Sequence, residues 1–398
     1  MRIALFIYSL RGGGAQHRTL TLANGFAARG HAADLVVVST NGSDGVALHS
    51  GVRVITLEQG WHHLFERLNR RINLRGLLTA SAIPALARYL RNERPDVLLS
   101  GASHVNLVAL FARRFSKTNV PLVLRASNYP SANLHEWPLF QQVSRRLLRY
   151  TLGVVYPWAD HIIAVSKGVA RDVQRLTGLP DERVTTIYNP VVGPYIARLA
   201  AQPVDHAWAA DAHVPLILAV GRLTVQKDYP TLIRAFARIH AGRAAHLVIL
   251  GEGRQRGKLE KLVRELGLDA DVAFLGHTDN PFAWMSKATM LVLSSAWEGL
   301  PGVLIEALAC GCPVVSTDCP SGPREILEDG VIGPLVPVHD DHVLASAILT
   351  VLAAPPDRAK LLRRAEYFRI DTGVDAYLRV LAAQVAARSA SPGRSTTA

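Results

Sequence analysis

The sequence of 398 residues predicts an α/β chain built from two doubly wound, parallel-sheet domains in succession. Three observations carry that expectation. Short apolar runs recur in both halves, each followed by a polar or glycine-rich turn and then a helical run, the rhythm of strand–helix–strand units. The length suits two domains of ordinary size. The apolar fraction, 49% against 19% charged, can fill two cores in which strands are covered by helices on both faces.

In the first half, residues 3–8 (IALFIY) read as a buried strand, and Arg11-Gly12-Gly13-Gly14-Ala15-Gln16 leads from it into a helical run over 17–29. Three glycines between a first strand and a first helix let a ligand approach the backbone and the helix N-terminus. The dinucleotide pattern G-x-G-x-x-G is absent, so NAD binding is not supported. Further strands are expected at 34–39, 53–57, 96–100, 121–126 and 161–166. Polar clusters follow two of them: Ser100 to Asn106, which includes His104, and Arg125-Ala126-Ser127-Asn128-Tyr129. A lone histidine is more often structural, but His104 is expected at the carboxyl end of a strand, where open α/β sheets bind ligands.

The Ala-rich stretch 198–214 reads as a linker, and a second doubly wound pattern starts with the strand at 216–222. A helix over 230–240, a strand at 246–250, a helix ending by Gly267 and a strand at 272–276 follow. Residues 290–325 then form the most informative stretch. An apolar strand ends in two serines, the turn Ala296-Trp297-Glu298-Gly299-Leu300-Pro301-Gly302 follows, and residues 303–309 make a short apolar helix closed by Gly311. Glu298 falls on the loop and Glu306 about a turn into the helix. Two carboxylates beside a helix N-terminus suit a neutral polyol attached to a phosphate, and a nucleotide-sugar has that chemistry. A glutamate inside a helix can equally pair with a neighbouring arginine. A last helix is expected at 376–387, folding back to the first domain, with a disordered tail at 390–398.

Bulk properties narrow the partners. No apolar run approaches the length of a membrane span, about 20 residues. Cys310, Cys312 and Cys319, an odd number in one segment, make a poor zinc pattern and read as small apolar residues in a reducing, cytoplasmic compartment. No metal is expected. Residues 1–195 hold 23 Lys+Arg against 11 Asp+Glu, a net +12, whereas the remainder holds 44 − 23 = 21 against 32 − 11 = 21 and is neutral. The first half should therefore meet an anionic partner. Residues 61–77 (WHHLFERLNRRINLRGL) read as a basic amphipathic helix suited to an anionic bilayer, with an ordinary surface helix as the alternative. Nucleic acid is disfavoured, since no recognition motif accompanies the charge. Two motifs are discounted. Gly251-Glu252-Gly253-Arg254-Gln255-Arg256-Gly257 has its third glycine one residue late for a dinucleotide fingerprint, and Asp269-Ala270-Asp271 lies at a strand's start, away from a ligand edge.

Taken together, Glu298 and Glu306 with seven residues between them, Gly221-Arg222-Leu223 with Lys227, the loop Gly12-Gly13-Gly14-Ala15 and Ile187-Tyr188-Asn189-Pro190 resemble the retaining glycosyltransferases of family 4. The resemblance is specific over residues 216–338 and looser before them. It implies the GT-B fold, two facing Rossmann-like domains with a cleft between them. Residues 1–195 would bind the acceptor and 196–370 the nucleotide-sugar, with 371–389 as the crossing helix. It implies that Arg222 and Lys227 clamp the diphosphate, Glu306 holds the ribose and Glu298 the transferred sugar, and that backbone N–H groups at Leu300, Gly302 and Val303 complete the anion site. His104 would face the sugar, and Gly13 and Gly14 would let the first loop approach the donor. Gln16, where the family often carries a glutamate, would line the acceptor site with Arg125 and Asn128.

The activity expected on this basis is transfer of a hexose or N-acetylhexosamine from a nucleotide diphosphate, UDP above all. The acceptor would be a hydroxyl of a growing surface glycan or lipid-linked acceptor, the anomeric configuration would be retained, and neither metal nor cofactor would be needed. An epimerase or phosphorylase on the same fold, and a non-catalytic nucleotide-sugar binder at the membrane, are the alternatives.

Overall fold

The computed structural model describes residues 1–10, 13–39, 47–57, 81–133, 150–211 and 213–390. The basic stretch 61–77 and the tail from 391 lie outside the described residues. The chain forms two compact units, Met1–Pro190 with Ile370–Ala398, and Val191–Arg369. The helices used below are α1 (Gly14–Ala27), α2 (Ser103–Ser116), α3 (Tyr229–His240), α4 (Gly302–Ala309) and α5 (Ile370–Ser389).

The first unit is a seven-stranded sheet of β1 (Arg2–Ser9), β2 (Ala32–Ser39), β3 (Val52–Thr56), β4 (Val97–Ser100), β5 (Leu122–Ala126), β6 (His161–Ala164) and β7 (Val184–Thr186). The order is β3-β2-β1-β4-β5-β6-β7, and every pairing is parallel. β1 is central, and its residues from Ile3 to Ile7 are buried, which explains the unbroken apolar run. The order reverses between β1 and β4, so the turns after those two strands flank a topological switch point. β7 was not legible: its three residues carry two threonines and fall below the length at which alternation shows.

α5 belongs to this unit. It begins at Ile370, six residues before the expected start, because Asp371, Thr372 and Gly373 occupy its first turn. Val374, Tyr377 and Leu381 enter the core of the first sheet. Gly25 of α1 lies so close that a Cβ there would be 2.5 Å from Val374. Arg29 bonds Asp371 and Asp375 from α1's end. At the amino ends of β1 and β2, buried Asp34 accepts from Arg2, Arg53 and Tyr89 at 2.7–3.0 Å. Burial alone would raise its pKa; the hydrogen bonds from Arg53 and Tyr89 and the neighbouring guanidinium charges outweigh that and hold it below the ordinary value.

The second unit has a six-stranded parallel sheet of β8 (Leu216–Val220), β9 (His246–Leu250), β10 (Val272–Gly276), β11 (Met290–Leu293), β12 (Val314–Thr317) and β13 (Leu335–Val336), in the order β10-β9-β8-β11-β12-β13. Here the switch point falls between β8 and β11. The expected linker at 198–214 is corrected. Tyr195–Ala200 and Ala207–Ala210 are short helices belonging to this unit. Tyr195 packs edge-on against Phe282, Asn280 donates to the Leu199 carbonyl at 2.9 Å, and Ser286 donates to Ala200 at 2.8 Å. An alanine-rich composition reads the same in a loose tether and in a short helix lying flat on another.

Candidate active site

Arg222 and Lys227 lie on the loop after β8, beside the switch point of the second sheet. Gly221 leaves the strand with φ of 156°, and its carbonyl accepts the Tyr229 hydroxyl at 2.9 Å. The glycines of the discounted fingerprint shape this loop from the end of β9. A Cβ on Gly251, which has φ of 142°, would lie 2.0 Å from the Gly221 carbonyl oxygen, and one on Gly253 would lie 2.3 Å from that of Leu223. Leu223 N–H donates to the Glu252 carbonyl at 2.9 Å, closing the two turns together. Those glycines thus permit backbone contact rather than hold a dinucleotide. Arg222 projects from the loop exposed, and among the described residues its guanidinium has no hydrogen-bond or ion-pair partner. The loop's far end is pinned by Gln226, whose amide donates to the Trp297 carbonyl at 2.9 Å and whose carbonyl accepts Ala296 N–H at 2.8 Å.

Across the switch point, β11 runs into Ser294 and Ser295. Ser294 donates to the Lys227 carbonyl at 2.8 Å, and Ser295 to Glu298 Oε1 at 2.7 Å. Lys227 Nζ donates to the same Oε1 at 2.6 Å. Glu298 is only 7% exposed, and its second oxygen, Oε2, has no partner among the described residues. The charge is felt around it: burial and then Glu298 raise the pKa of the Tyr229 hydroxyl and of the Cys319 thiol. Glu298 N–H bonds the Pro320 carbonyl and its own carbonyl accepts from Ser321 N–H, at 2.8 and 3.1 Å, which ties the turn to the loop after β12.

Beyond the turn, Leu300 is buried and Pro301 N-caps α4 with no side-chain cap, so the N–H groups at Gly302 and Val303 open the helix. Glu306 lies in the second turn of α4, half-buried. α4 ends at Ala309, and Gly311 just beyond its cap has φ of 71° and a position where a Cβ would be 2.6 Å from Arg358. One sheet edge thus carries two cations, two carboxylates and an uncapped helix N-terminus. That combination can bind an anionic group and a hydroxyl-rich one side by side.

In the first unit, Gly13 N-caps α1, and among the described residues nothing lies within 4 Å of where a Gly14 Cβ would point. Gln16 is half-buried in the first turn of α1, and Gly12 lies outside the described residues. His104 is the second residue of α2, at the carboxyl end of β4, with its side chain outside the described residues. Asn128 Oδ1 accepts Tyr129 N–H at 3.0 Å, shaping the turn after β5. Arg125 is a correction. It is 1% exposed and donates to Tyr377 Oη at 3.1 Å, Asn189 Oδ1 at 2.7 Å, and the Gly101 and Ala15 carbonyls at 3.2 and 3.4 Å. A side chain so enclosed holds the sheet's carboxyl edge together and does not contact an acceptor. Asn189 of the quoted motif serves as its partner, and Pro190's carbonyl accepts from Arg18 at 3.2 Å.

Comparison with known proteins decides the family. The model for glycosyl transferases group 1 matches residues 205–367, and that for Glycosyltransferase Family 4 matches residues 12–192. Over 356 residues the chain is 30% identical to the N-acetylgalactosamine-N,N'-diacetylbacillosaminyl-diphospho-undecaprenol 4-alpha-N-acetylgalactosaminyltransferase of Campylobacter jejuni, covering 88% of this chain and 90% of that protein. The chain belongs to the GT-B glycosyltransferases. It is also 28% identical to the lipopolysaccharide core biosynthesis glycosyltransferase LpsE of Rhizobium meliloti, over 83% of this chain and 90% of that one. Among solved structures, sucrose-phosphate synthase from Thermosynechococcus elongatus superposes with a TM-score of 0.75 at 22% identity, covering 96% and 99% of the two chains. Anabaena HepE, solved with UDP-glucose, does so at 0.71 and 20%, covering 96% and 100%. At that identity the structures speak for the fold alone.

In this glycosyltransferase, sequence reasoning missed Ser294, Ser295 and Gln226, which fix the backbone and carboxylate of the two site loops. The pair of serines was legible only as the end of a strand. It also missed Trp297, whose indole N–H is buried without a hydrogen-bond partner among the described residues.

Proposed function

We propose that this glycosyltransferase moves a hexose or N-acetylhexosamine from a nucleoside diphosphate, UDP foremost, to a hydroxyl of a growing surface glycan or lipid-linked acceptor, with retention. The observation that carries the reading is the contact of Lys227 Nζ with Glu298 Oε1 at 2.6 Å beside exposed Arg222, on the ligand-binding edge of the second sheet. The name of the Campylobacter relative includes a diphospho-undecaprenol acceptor, and HepE was solved with UDP-glucose, which favours this choice of acceptor and donor.

In this reading Arg222 and Lys227 take the diphosphate and stabilise the charge it gains as the sugar leaves, assisted by N–H groups at the start of α4. Leu300, Gly302 and Val303 line that anion site, and Glu306 accepts from the ribose hydroxyls. Glu298 accepts from a sugar hydroxyl and orients the sugar as positive charge develops on it, and His104 keeps its expected role toward the sugar. The acceptor hydroxyl attacks from the face the phosphate leaves, and a phosphate oxygen of the donor receives its proton. Glu298, already engaged by Lys227 and Ser295, is then not a covalent nucleophile of the kind retaining hydrolases use. Gly13, Gly14, Gln16 and Asn128 remain assigned to the approach of donor and acceptor on the first unit.

A panel of UDP-, GDP- and ADP-sugars, with and without a chelator, read by nucleotide release in the presence of a lipid-linked acceptor, tests the reading. UDP-sugars should be consumed with or without chelator. Arg222→Ala should slow turnover about 10²–10³-fold while leaving stability within about 0.5 kcal/mol, because an exposed, unpaired side chain contributes little to the fold. Full activity in that variant would sink the assignment.

The net charge of +12 on the first 195 residues favours an anionic membrane as the surface on which a lipid-linked acceptor is met. Among the described residues no helix is long and apolar enough to cross a membrane. Vesicles with and without anionic lipid test this proposal: equal binding to both, or no effect of replacing Arg70 and Arg71, would refute it.

A further inference from the structure

Two groups donate to a single oxygen of Glu298. Oε1 accepts from Lys227 Nζ at 2.6 Å and from Ser295 Oγ at 2.7 Å, whereas Oε2 has no partner among the described residues. The two groups differ in how firmly they are placed. Lys227 carries its ammonium on a four-carbon stem and, on the function proposed above, turns that charge toward the diphosphate. Its hold on Glu298 then weakens as the nucleotide-sugar arrives.

Ser295 has no such freedom. It is 0% exposed at the end of β11, and its carbonyl accepts the Thr317 hydroxyl of β12 at 2.6 Å. The next residue donates its N–H to the Gln226 carbonyl at 2.8 Å. The backbone is thus fixed from both neighbouring elements, and the hydroxyl keeps its direction whatever Lys227 does.

We infer that Ser295 is a positioning residue for the sugar. Its hydroxyl holds Oε1 of Glu298 when Lys227 engages phosphate, and so presents Oε2 as the acceptor for a sugar hydroxyl. The inference rests on the proposed donor site and predicts something that site alone does not. Losing Ser295 should cost recognition of the sugar and not of the nucleotide.

The experiment is calorimetric titration of the full chain with UDP and with the UDP-sugar that the panel shows to be consumed. The quantity read is the ratio of the two dissociation constants. Ser295→Ala should lower that ratio about tenfold and lower kcat, with UDP affinity unchanged, the size of one charge-assisted hydrogen bond. Ser295→Thr, which keeps the hydroxyl, should restore the ratio; Ser295→Cys, close in size with a weak donor, should fall between and serves if the alanine variant does not fold. UDP and UDP-sugar weakening by one common factor, or an unchanged ratio in any folded variant lacking the hydroxyl, overturns the inference. A wild-type chain that gains nothing from the sugar overturns the proposed site and this inference with it. A wild-type gain retained in Ser295→Ala overturns the inference alone.

Discussion

Replacing Lys227 by methionine separates what its charge does for the fold from what it does for the reaction. Methionine keeps much of the stem that runs past Gly221, where Lys227 Cε lies 3.0 Å from the position of a Cβ, and removes the ammonium. The lysine and glutamate side chains are 16% and 10% exposed, so Glu298 would be left as a nearly buried carboxylate with Ser295 as its remaining partner. Breaking a buried pair on one side costs about 3–5 kcal/mol. Residual solvent and the surviving hydroxyl place this one lower, at about 2–3 kcal/mol, or roughly 5–10 °C in the melting temperature of the second unit. Adding Glu298→Gln removes the unpaired charge and should recover at least about 1 kcal/mol, a coupling visible in a double-mutant cycle. Turnover, measured as nucleotide release, should fall about 10²–10³-fold in the single variant and stay down in the double. A single variant as stable as the wild type, or a double variant that recovers activity together with stability, would refute these roles for Lys227.

Three further outcomes follow from the geometry. Gly251→Ala, which would drive a Cβ to 2.0 Å from the Gly221 carbonyl oxygen at φ of 142°, should displace the Arg222 loop and abolish nucleotide-sugar binding; titration with UDP checks it. Arg125→Ala should destabilise the first unit by about 3 kcal/mol or more in urea, since it strips partners from Tyr377, Asn189 and two carbonyls, while the nucleotide affinity of the second unit stays unchanged. Asp34, with its pKa depressed in the fold, contributes stability that is present above the unfolded value of about 3.9 and is lost as pH falls through the folded value. Asp34→Asn should therefore lower stability at neutral pH and flatten its decline below about pH 4, as followed by urea unfolding across pH.

The legible parts of the fold were those with a strong local signature. Residues 3–8 and 290–293 are apolar without interruption because both faces of their strands are covered, and such runs announce themselves. Val184–Thr186 and Leu335–Val336, three and two residues long, carry no such pattern and exist because a neighbouring strand offers its edge. Of the proposed site, the placement of Arg222, Lys227, Glu298 and Glu306 on and after the loops at strand ends was legible, because charged groups next to glycine turns stand out against apolar surroundings. Ser295 and Gln226 were not, since a serine ending a strand looks the same whether it faces solvent or holds a carboxylate. Arg125 was misread for the converse reason. A cation after a strand suggests a ligand, and nothing nearby in sequence reveals that Asn189 and Tyr377 will enclose it. Partners separated by 64 and 252 residues are beyond any local pattern.

That last separation bears on how the chain is made. The first unit is interrupted by the whole of the second, and α5, synthesised after it, supplies Val374, Tyr377 and Leu381 to the first unit's core. At a translation rate of about 5–20 residues per second, the ribosome needs about 10–40 s after Pro190 to deliver that helix. Through this interval the surface of α1 around Gly25 and the guanidinium of Arg125 wait without their final partners, while residues 191–369 can complete their own sheet in one continuous passage. A chain stopped short of residue 370 would thus carry a finished second unit and an unfinished first one. Its fate in the cell would be set by whatever shields that exposed apolar face.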